Sequence, residues 1–433
     1  MKPHRPSRRS FLKTTGAAAA ASALPLGVAQ GAWGAGSDQL KIGLVGCGGR
    51  GSGALINALK ADPGTVLWAL GDAFADQCDT LARRLTDADE SPVDAARIQL
   101  PPERRFSGFD CHERVTDAVD VVLFASPPCF RPMQIEHAVR AGKHVFAEKP
   151  AATDAYGVRR VLAAARLAEQ NGTAFAHGFC WRAHQPWRET MAQVHGGRIG
   201  KVRALYMTYL AGPLWHRGDK PEWSRMEHQL RNWLYFTPLS GDHLVEQAIH
   251  SVDKMMWAMQ DAPPLHCTAT GGRQVRTDEK YGNVYDHFDV NYEWADGALG
   301  VVQCRQMDGC LGENKDTIVG AAGVLKADGW GPDMRALGDF PWKWEGKNND
   351  MYQTEHDELF ASIRAGKPLQ QGVAMAHSTL AGIMGRMSAY TGQRVTWEMA
   401  LHSEERLLPA DGEWAWGPGL DCPVAMPGKT KFV

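Results

Sequence analysis

Two groups of residues in this sequence have the types and spacing needed for proton and hydride chemistry, and Lys149 is the centre of the first. Lys149 follows the short apolar run His144–Ala147, which predicts a buried strand. Parallel sheets bind ligands at the carboxyl ends of their strands, so we expect the ammonium group to face a ligand. It would hydrogen-bond a cofactor ribose and a substrate hydroxyl and stabilise a developing alkoxide. A surface lysine at a strand end is the competing interpretation.

The second group is Glu246, His250 and Asp253, whose spacing predicts one face of a helix. A carboxylate one turn from an imidazole orients the ring and raises its pKa. We therefore expect Glu246 to orient His250 as the general base that takes a proton from a secondary alcohol. A solvated pair of side chains is the competing interpretation. A metal site is disfavoured because no third ligand motif accompanies the pair.

A glycine-rich turn supplies the expected cofactor site. The run Leu40–Val45 meets the pattern G-x-G-x-x-G, which predicts a strand turning into a helix whose N-terminus faces a pyrophosphate. A second apolar run ends at Asp72, where a ribose-binding acid is expected. Because Asp72 would repel a 2′-phosphate, we favour NAD over NADP. Arg50 is expected to flank the pyrophosphate or the adenine. The predicted cofactor residues here are Gly46, Gly48, Gly49, Arg50, Gly51, Asp72, Ser126, Pro127, Glu148 and Lys149.

The order of predicted elements places both groups in an α/β protein with two domains. In the first half strands and helices alternate, which predicts a doubly wound parallel (Rossmann) sheet. The second half has consecutive strand-like runs and few helices, which predicts an α+β domain with a large open, mostly antiparallel sheet. One helix is expected over residues 241–259. The predicted divisions are a signal at 1–35, a dinucleotide-binding domain at 38–178, a substrate and oligomerisation domain at 179–402, with one helix that could return to the first domain, and a tail at 403–433.

Composition and the N-terminal segment indicate which partners and which cellular location to expect. The chain has 433 residues and a formal net charge of −2, and it has no basic block that would indicate nucleic acid. Its nine cysteines include no C-x-x-C pair and predict no disulfide framework. Arg8 and Arg9 precede an apolar, alanine-rich stretch, a pattern typical of a twin-arginine export signal. No other stretch is long and apolar enough for a membrane span, so a soluble periplasmic or secreted protein is expected.

Several segments resemble one family, the glucose–fructose oxidoreductase and inositol dehydrogenase (Gfo/Idh/MocA) family. They are the glycine turn, Ser126-Pro127, the segment AVRAGKHVFAEKP at 138–150 and the helix that carries His250. The resemblance implies a cofactor-binding Lys149, a catalytic His250 and an Arg182 that borders the nicotinamide. Two departures are visible, since Glu246 stands where the family has Asp and Ala248-Ile249-His250 replaces its G-x-H.

The predicted reaction is NAD-dependent oxidation or reduction of a CH–OH group in a sugar, polyol or glycoside. Because nicotinamide cofactors are scarce outside the cytoplasm, we expect the cofactor to be held tightly. Two alternatives stay open: an NAD-dependent glycosidase that works through a transient 3-keto sugar, and a sugar-binding protein without catalysis. A homo-oligomer, either dimer or tetramer, is implied by the resemblance. The substrate-facing candidates are Trp181, Arg182, His184, Trp215, His216, Trp233 and Gln247.

Overall fold

The structure is a computed structural model that describes residues 39–87, 91–331, 333–411 and 413–433. The predicted export signal at 1–35 lies outside the described residues. Within the described part of the chain, no helix combines the length and the apolar character needed to cross a lipid bilayer.

A six-stranded parallel sheet forms the first half and confirms the Rossmann prediction. Its strand order is β3-β2-β1-β4-β5-β6, so the order reverses between β1 and β4, which is where such sheets bind nucleotides. All of its strands except β3 are almost entirely buried, as expected of a sheet covered on both faces. The strands are β1 (Leu40–Val45), β2 (Thr65–Asp72), β3 (Arg105–Ser107), β4 (Val121–Phe124), β5 (His144–Ala147) and β6 (Phe175–His177).

Five helices accompany this sheet among the described residues, and each follows a strand or leads into one. Asp154 caps the longest helix by accepting a hydrogen bond from the backbone of Gly157. The helices are α1 (Gly49–Ala61), α2 (Ala75–Thr86), α3 (Cys111–Ala118), α4 (Arg131–Arg140) and α5 (Ala155–Asn171).

The second sheet has nine strands and confirms the prediction of an open, mostly antiparallel sheet. Its order is β14-β13-β12-β11-β7-β10-β9-β8-β15, and only the central pair β7 and β10 is parallel. Along β7 and β10, residues alternate between a buried face, which packs against helices, and the more exposed opposite face. The strands are β7 (Val202–Ala211), β8 (His266–Gly272), β9 (His287–Glu293), β10 (Leu299–Gln306), β11 (Lys315–Gly320), β12 (Gly323–Asp328), β13 (Met334–Gly338), β14 (Trp342–Lys343) and β15 (Val395–Thr396).

The helices of the second half lie on the buried face of this sheet or pack against the first domain. They are α6 (Gln185–His195), α7 (Arg225–Arg231), α8 (Thr237–Ser240), α9 (His243–Glu246), α10 (Ile249–Ala258), α11 (Met351–Arg364), α12 (Gly372–Thr391) and α13 (Trp397–His402). Helix α11 packs against α1, and its Leu359 and Phe360 join the apolar core of the first domain. The described residues of the tail at 403–433 contain no helix or strand.

The prediction of a single helix over residues 241–259 is wrong, because the helix is interrupted between α9 and α10. The carbonyl oxygen of His243 accepts hydrogen bonds from both Gln247 and Ala248, at 3.0 and 2.9 Å. This wide turn inserts a residue into the helical count, so Glu246 and His250 no longer share a face.

Other elements were not predicted from the sequence. They are strand β3 with helix α3, helices α6, α7, α8 and α13, and the strands β11 to β15. Strands β11 to β14 are half exposed and short, so their hydrophobic alternation is weak and resembles a loop in the sequence.

Helix α10 is fastened to the second sheet by a fully buried ion pair. Lys254 donates to the carboxylate of Asp316 on β11, and both side chains have no exposed surface. Lys254 also donates to Asn314 at 3.0 Å. Burial raises the pKa of Asp316 to about 6, although Lys254 opposes that shift.

We predict that Lys254→Met lowers the free energy of unfolding by about 3–5 kcal/mol, because it leaves the Asp316 carboxylate unpaired in the core. Urea denaturation followed by circular dichroism measures this loss. The double variant Lys254→Met/Asp316→Leu should recover most of the stability, since it removes both charges. A loss below about 1 kcal/mol in the single variant would contradict the prediction.

Candidate active site

The glycine turn between β1 and α1 has no room for side chains. Gly46 has φ +97°, and a Cβ there would lie 2.4 Å from the backbone nitrogen of Ser126. A Cβ on Gly51 would lie 1.9 Å from the carbonyl oxygen of Gly46. Gly48 and Gly49, by contrast, have no atom within 4 Å of an added Cβ, so their backbone faces open space. The turn is therefore closely packed at Gly46 and Gly51 and open at Gly48 and Gly49, as a pyrophosphate cradle requires.

The N-terminus of α1 is free to receive an anion. Its N-cap residue, Gly48, offers no side-chain hydrogen bond, and the first turn contains no acidic residue. The backbone N–H groups there lack partners within the helix and carry the positive end of its dipole. This end of the helix fits a phosphate group.

A cavity of about 690 Å³ opens over this turn, and its lining includes the cradle, Asp72, Ser126 and Pro127. The opposite wall carries aromatic and basic side chains from the second half of the chain, among them Trp215, Trp223 and Trp233. The cavity is large enough for a dinucleotide-sized ligand. The residues present therefore fit the cofactor that the glycine turn predicts.

Asp72 lies at the end of β2 and lines this cavity. Its two carboxylate oxygens accept backbone hydrogen bonds from Cys47 at 2.7 Å and from Phe74 at 3.0 Å. Burial raises the pKa of Asp72 to about 6, against the effect of these two N–H groups. The carboxylate is mostly ionised at neutral pH and has unused lone pairs for a ribose hydroxyl.

Arg50 makes contacts that the sequence did not predict. It lines the cavity, but its guanidinium bridges two buried carboxylates, Glu148 at 2.6 Å and Glu355 at 2.7 Å. It also lies over the ring of Tyr352 at 4.8 Å. Burial raises the pKa of Glu355 well above its usual value, and the charge of Arg50 opposes this. Arg50 thus ties the strand end that carries Lys149 to helix α11.

Lys149 and Glu246 form a pair that the sequence did not predict. The Nζ atom of Lys149 donates to the backbone oxygen of Glu246 at 2.6 Å and to its Oε1 atom at 3.2 Å. Both side chains are largely buried, with 14% and 13% exposed. The expectation that Glu246 orients His250 is wrong in this structure, because its carboxylate faces Lys149 after the break between α9 and α10.

His250 lies at the start of α10 and is 8% exposed. Its Nδ1 atom is buried and has no hydrogen-bond partner among the described residues. The imidazole contacts Trp181 edge to face, with ring centroids 4.5 Å apart. Burial first, and then the charges of Lys149, Lys254 and Arg50, lower the pKa of His250 well below its usual value. The ring is therefore neutral at physiological pH and can accept a proton.

Arg182 belongs to a buried ion-pair network. Its guanidinium donates to Asp253 at 2.8 Å and to Asp261 at 2.5 Å, and Ser378 donates to Asp253 at 2.7 Å. This network joins the segment after β6 to helices α10 and α12. These ion pairs occupy the Arg182 guanidinium, and its contact with the nicotinamide or the substrate stays a prediction.

The remaining predicted substrate residues do not form one group. Trp181 contacts His250, whereas Trp215 and Trp233 line the far wall of the cavity. The other three are buried or bonded elsewhere: His184 is buried at the start of α6, His216 approaches Lys280 with its Nε2 atom 3.1 Å from the carbonyl oxygen, and Gln247 accepts a hydrogen bond from Gln306.

Glu355 and Phe109 were missed by sequence reasoning. Glu355 carried no signal, because its partner Arg50 lies 305 residues away. Phe109 also lines the cavity, and its position just after β3 would have indicated it had that strand been recognised.

We predict that Gly51→Ala destabilises the protein and abolishes dinucleotide binding, because the new methyl group meets the backbone of Gly46. Gly49→Ala is the matched control, since its methyl group enters open space and should leave the melting temperature within about 2 °C of wild type. Thermal unfolding and NAD binding by calorimetry measure both effects. Equal stability of the two variants would contradict the assigned packing.

Family comparisons were consistent with this geometry. Residues 40–176 match the model of the oxidoreductase family with an NAD-binding Rossmann fold. Residues 187–326 match the GFO/IDH/MocA C-terminal domain, and residues 5–25 match a twin-arginine translocation signal.

Individual relatives are distant. A dTDP-3,4-didehydro-2,6-dideoxy-alpha-D-glucose 3-reductase from Actinomadura kijaniata is 28% identical over 41% of this chain and 48% of its own length. A 2,7-anhydro-N-acetylneuraminate hydratase from Mediterraneibacter gnavus is 23% identical over 60% of this chain and 67% of its own length. The first of these matches therefore spans only about half of that relative.

Among solved structures, a levoglucosan dehydrogenase in complex with NADH and levoglucosan is 17% identical, with a TM-score of 0.64. The match covers 83% of this chain and 99% of that one, which shows a shared fold. With both domain models and the described site in agreement, the chain belongs to the Gfo/Idh/MocA family of NAD-binding oxidoreductases.

Proposed function

We propose that this protein is an exported, NAD-dependent oxidoreductase that acts on a CH–OH group of a sugar, polyol or glycoside and holds its cofactor tightly. The observation that carries the proposal is the buried His250, whose pKa the nearby charge of Lys149 lowers, in a chain that also has an open glycine cradle. We infer that His250 is a general base and Lys149 a hydrogen-bond donor for the reacting hydroxyl.

His250 and Lys149 have different roles at the same substrate oxygen. A bound nicotinamide dinucleotide supplies the hydride acceptor, or the donor in the reverse direction. His250 accepts the hydroxyl proton through its Nε2 atom as the C–O bond becomes a carbonyl. Lys149 donates a hydrogen bond to the same oxygen and stabilises the negative charge that develops on it. In the reverse direction the imidazolium returns the proton.

Glu246 is proposed to act through Lys149. Its backbone oxygen and its carboxylate hold two of the three ammonium hydrogens, at 2.6 and 3.2 Å. The remaining N–H is free to point toward a ligand. Glu246 is therefore a positioning residue for the lysine.

The cofactor is proposed to be NAD. Asp72 is the acid at the end of β2, and its carboxylate would accept a hydrogen bond from a ribose 2′-hydroxyl. The same negative charge would repel the 2′-phosphate of NADP.

The tail supports tight retention of the cofactor. Trp416 packs on Phe74 and Phe109, two residues that line the nucleotide cavity, with ring centroids 5.3 and 4.5 Å away. The same tail is anchored on the first domain by Asp411, which pairs with Arg160 at 2.7 Å. It is anchored on the second half of the chain through Gln229, which hydrogen-bonds the backbone of Leu420 at 2.9 and 2.7 Å. A strap joined to both sides resists opening of the cleft.

Tight binding of the cofactor would suit a protein that is exported after folding. The twin-arginine pathway carries folded proteins, so a cofactor bound in the cytoplasm can leave with the protein. We propose a periplasmic or secreted location on the basis of the matching signal at residues 5–25. We also propose a dimer or tetramer formed through the exposed face of the second sheet, where Tyr206 and Leu299 are about half exposed.

A redox-neutral reaction is the second candidate. The relative from Mediterraneibacter gnavus is a hydratase, an enzyme class whose overall reaction involves no net oxidation. A retained cofactor suits such chemistry, because it is regenerated in every cycle. Denaturing the purified protein and assaying released NAD(H) tests all redox schemes. Offering sugars, polyols and aryl glycosides, with NADH absorbance and aglycone release followed in parallel, separates the two candidates.

We predict that Lys149→Ala and His250→Ala each lower turnover at least ~100-fold, because each removes a group that acts on the substrate oxygen. Far-ultraviolet circular dichroism and the melting temperature should stay close to wild type. Unchanged turnover in either variant would remove that residue from the mechanism.

We predict that Trp416→Ala releases NAD(H) about two- to tenfold faster than wild type, because it removes the aromatic support behind Phe74 and Phe109. Fluorescence of bound NADH during a chase with excess NAD measures the rate. Met426→Ala, an exposed position in the same tail, is the control and should release cofactor at the wild-type rate. Equal rates in all three proteins would show that the tail has no part in retention.

A further inference from the structure

Trp330 is a large apolar side chain left exposed beside the active site. It lies in the turn between β12 and β13, and 64% of its surface is exposed. Its ring meets Trp181 edge to face at 5.2 Å, and Tyr209 at 6.2 Å. Trp181 in turn meets His250 at 4.5 Å. The exposed indole is therefore two ring contacts away from the proposed general base.

The turn that carries Trp330 is held rigidly. The Oδ1 atom of Asp328 accepts hydrogen bonds from the backbone nitrogens of Trp330 at 2.9 Å and Gly331 at 3.0 Å. The carbonyl oxygen of Gly329 accepts a hydrogen bond from the indole nitrogen of Trp181 at 2.8 Å. The backbone that carries the exposed ring is thus bonded directly to Trp181.

The same turn is connected to the helix that carries His250. The backbone nitrogen of Gly329 donates to the carbonyl oxygen of Asn314 at 2.7 Å. The side chain of Asn314 accepts from Lys254, which lies one turn after His250 on α10. The turn that carries the exposed indole and the helix that carries His250 therefore share one hydrogen-bond network.

We propose that Trp330 is a stacking platform for a second ring of the substrate, which makes the substrate a glycoside of at least two rings. This inference rests on the proposed function, since the first ring reacts beside His250. The C–H face of a sugar is apolar and weakly positive, and it packs on the negative face of an indole. Covering this ring also removes exposed apolar surface from water.

The position of Trp330 assigns it to the second ring. Trp181 lies between it and His250 and is 2% exposed, so its own face is not open to a ligand. A group that covers Trp330 must therefore lie beyond the ring that reacts at His250. A free monosaccharide held at His250 would leave the indole uncovered.

The test compares sugar binding by the purified, cofactor-loaded protein with that of three variants. Calorimetric titration uses glucose and galactose as single rings and maltose, cellobiose, lactose and trehalose as double rings. The wild type should bind at least one disaccharide about tenfold more tightly than its monosaccharide, and Trp330→Ala should remove that advantage. Trp330→Phe should keep most of it. Phe340→Ala, an exposed aromatic side chain on the loop after β13, is the matched control and should change nothing.

Each outcome has a separate meaning. Equal affinity of the wild type for single and double rings overturns the platform. So does an equal loss for both kinds of sugar in Trp330→Ala, because the residue would then belong to the first ring site. If Trp330→Ala has no selective effect, or if none of these sugars binds, only this inference fails. If the denatured protein releases no NAD(H) and the folded protein binds no added NAD, the proposed function fails with it.

Discussion

The burial of two adjacent charged residues on helix α10, Asp253 and Lys254, is the constraint on which the site depends. A buried charge is costly unless a partner meets it, so each residue dictates which element lies opposite. Asp253 requires Arg182 from the segment that follows β6, and Lys254 requires Asp316 from the second sheet. Together these pairs fix the direction of α10, and with it the position of His250 between the two domains.

Buried ion pairs also join the elements around the cleft. Arg50 joins the strand end at Glu148 to helix α11 at Glu355, and Lys149 joins that strand end to Glu246 at the end of α9. Lys149 and His250 are therefore positioned by separate networks of buried ion pairs.

Parts of the site were predictable because their physics is local. A turn with no room for a Cβ demands Gly46 and Gly51, so the cradle is visible as a sequence pattern. The segment around Lys149 was predictable through a family motif. The pairing of Glu246 was not, because a helix was assumed to continue where the double hydrogen bond to His243 interrupts it. The same wrong assumption put Glu246 beside His250.

The sequence by itself determined the alternating first domain, the glycine cradle, the acid at the end of β2 and the identity of the two central side chains. These depend on the period of apolar residues and on backbone space, which neighbouring residues specify. Tertiary structure alone decided the partners of Arg50, Arg182 and Glu246, and it brought Trp330 beside Trp181. Those contacts join residues tens to hundreds of positions apart, and a buried charge selects its partner only once the two elements have packed.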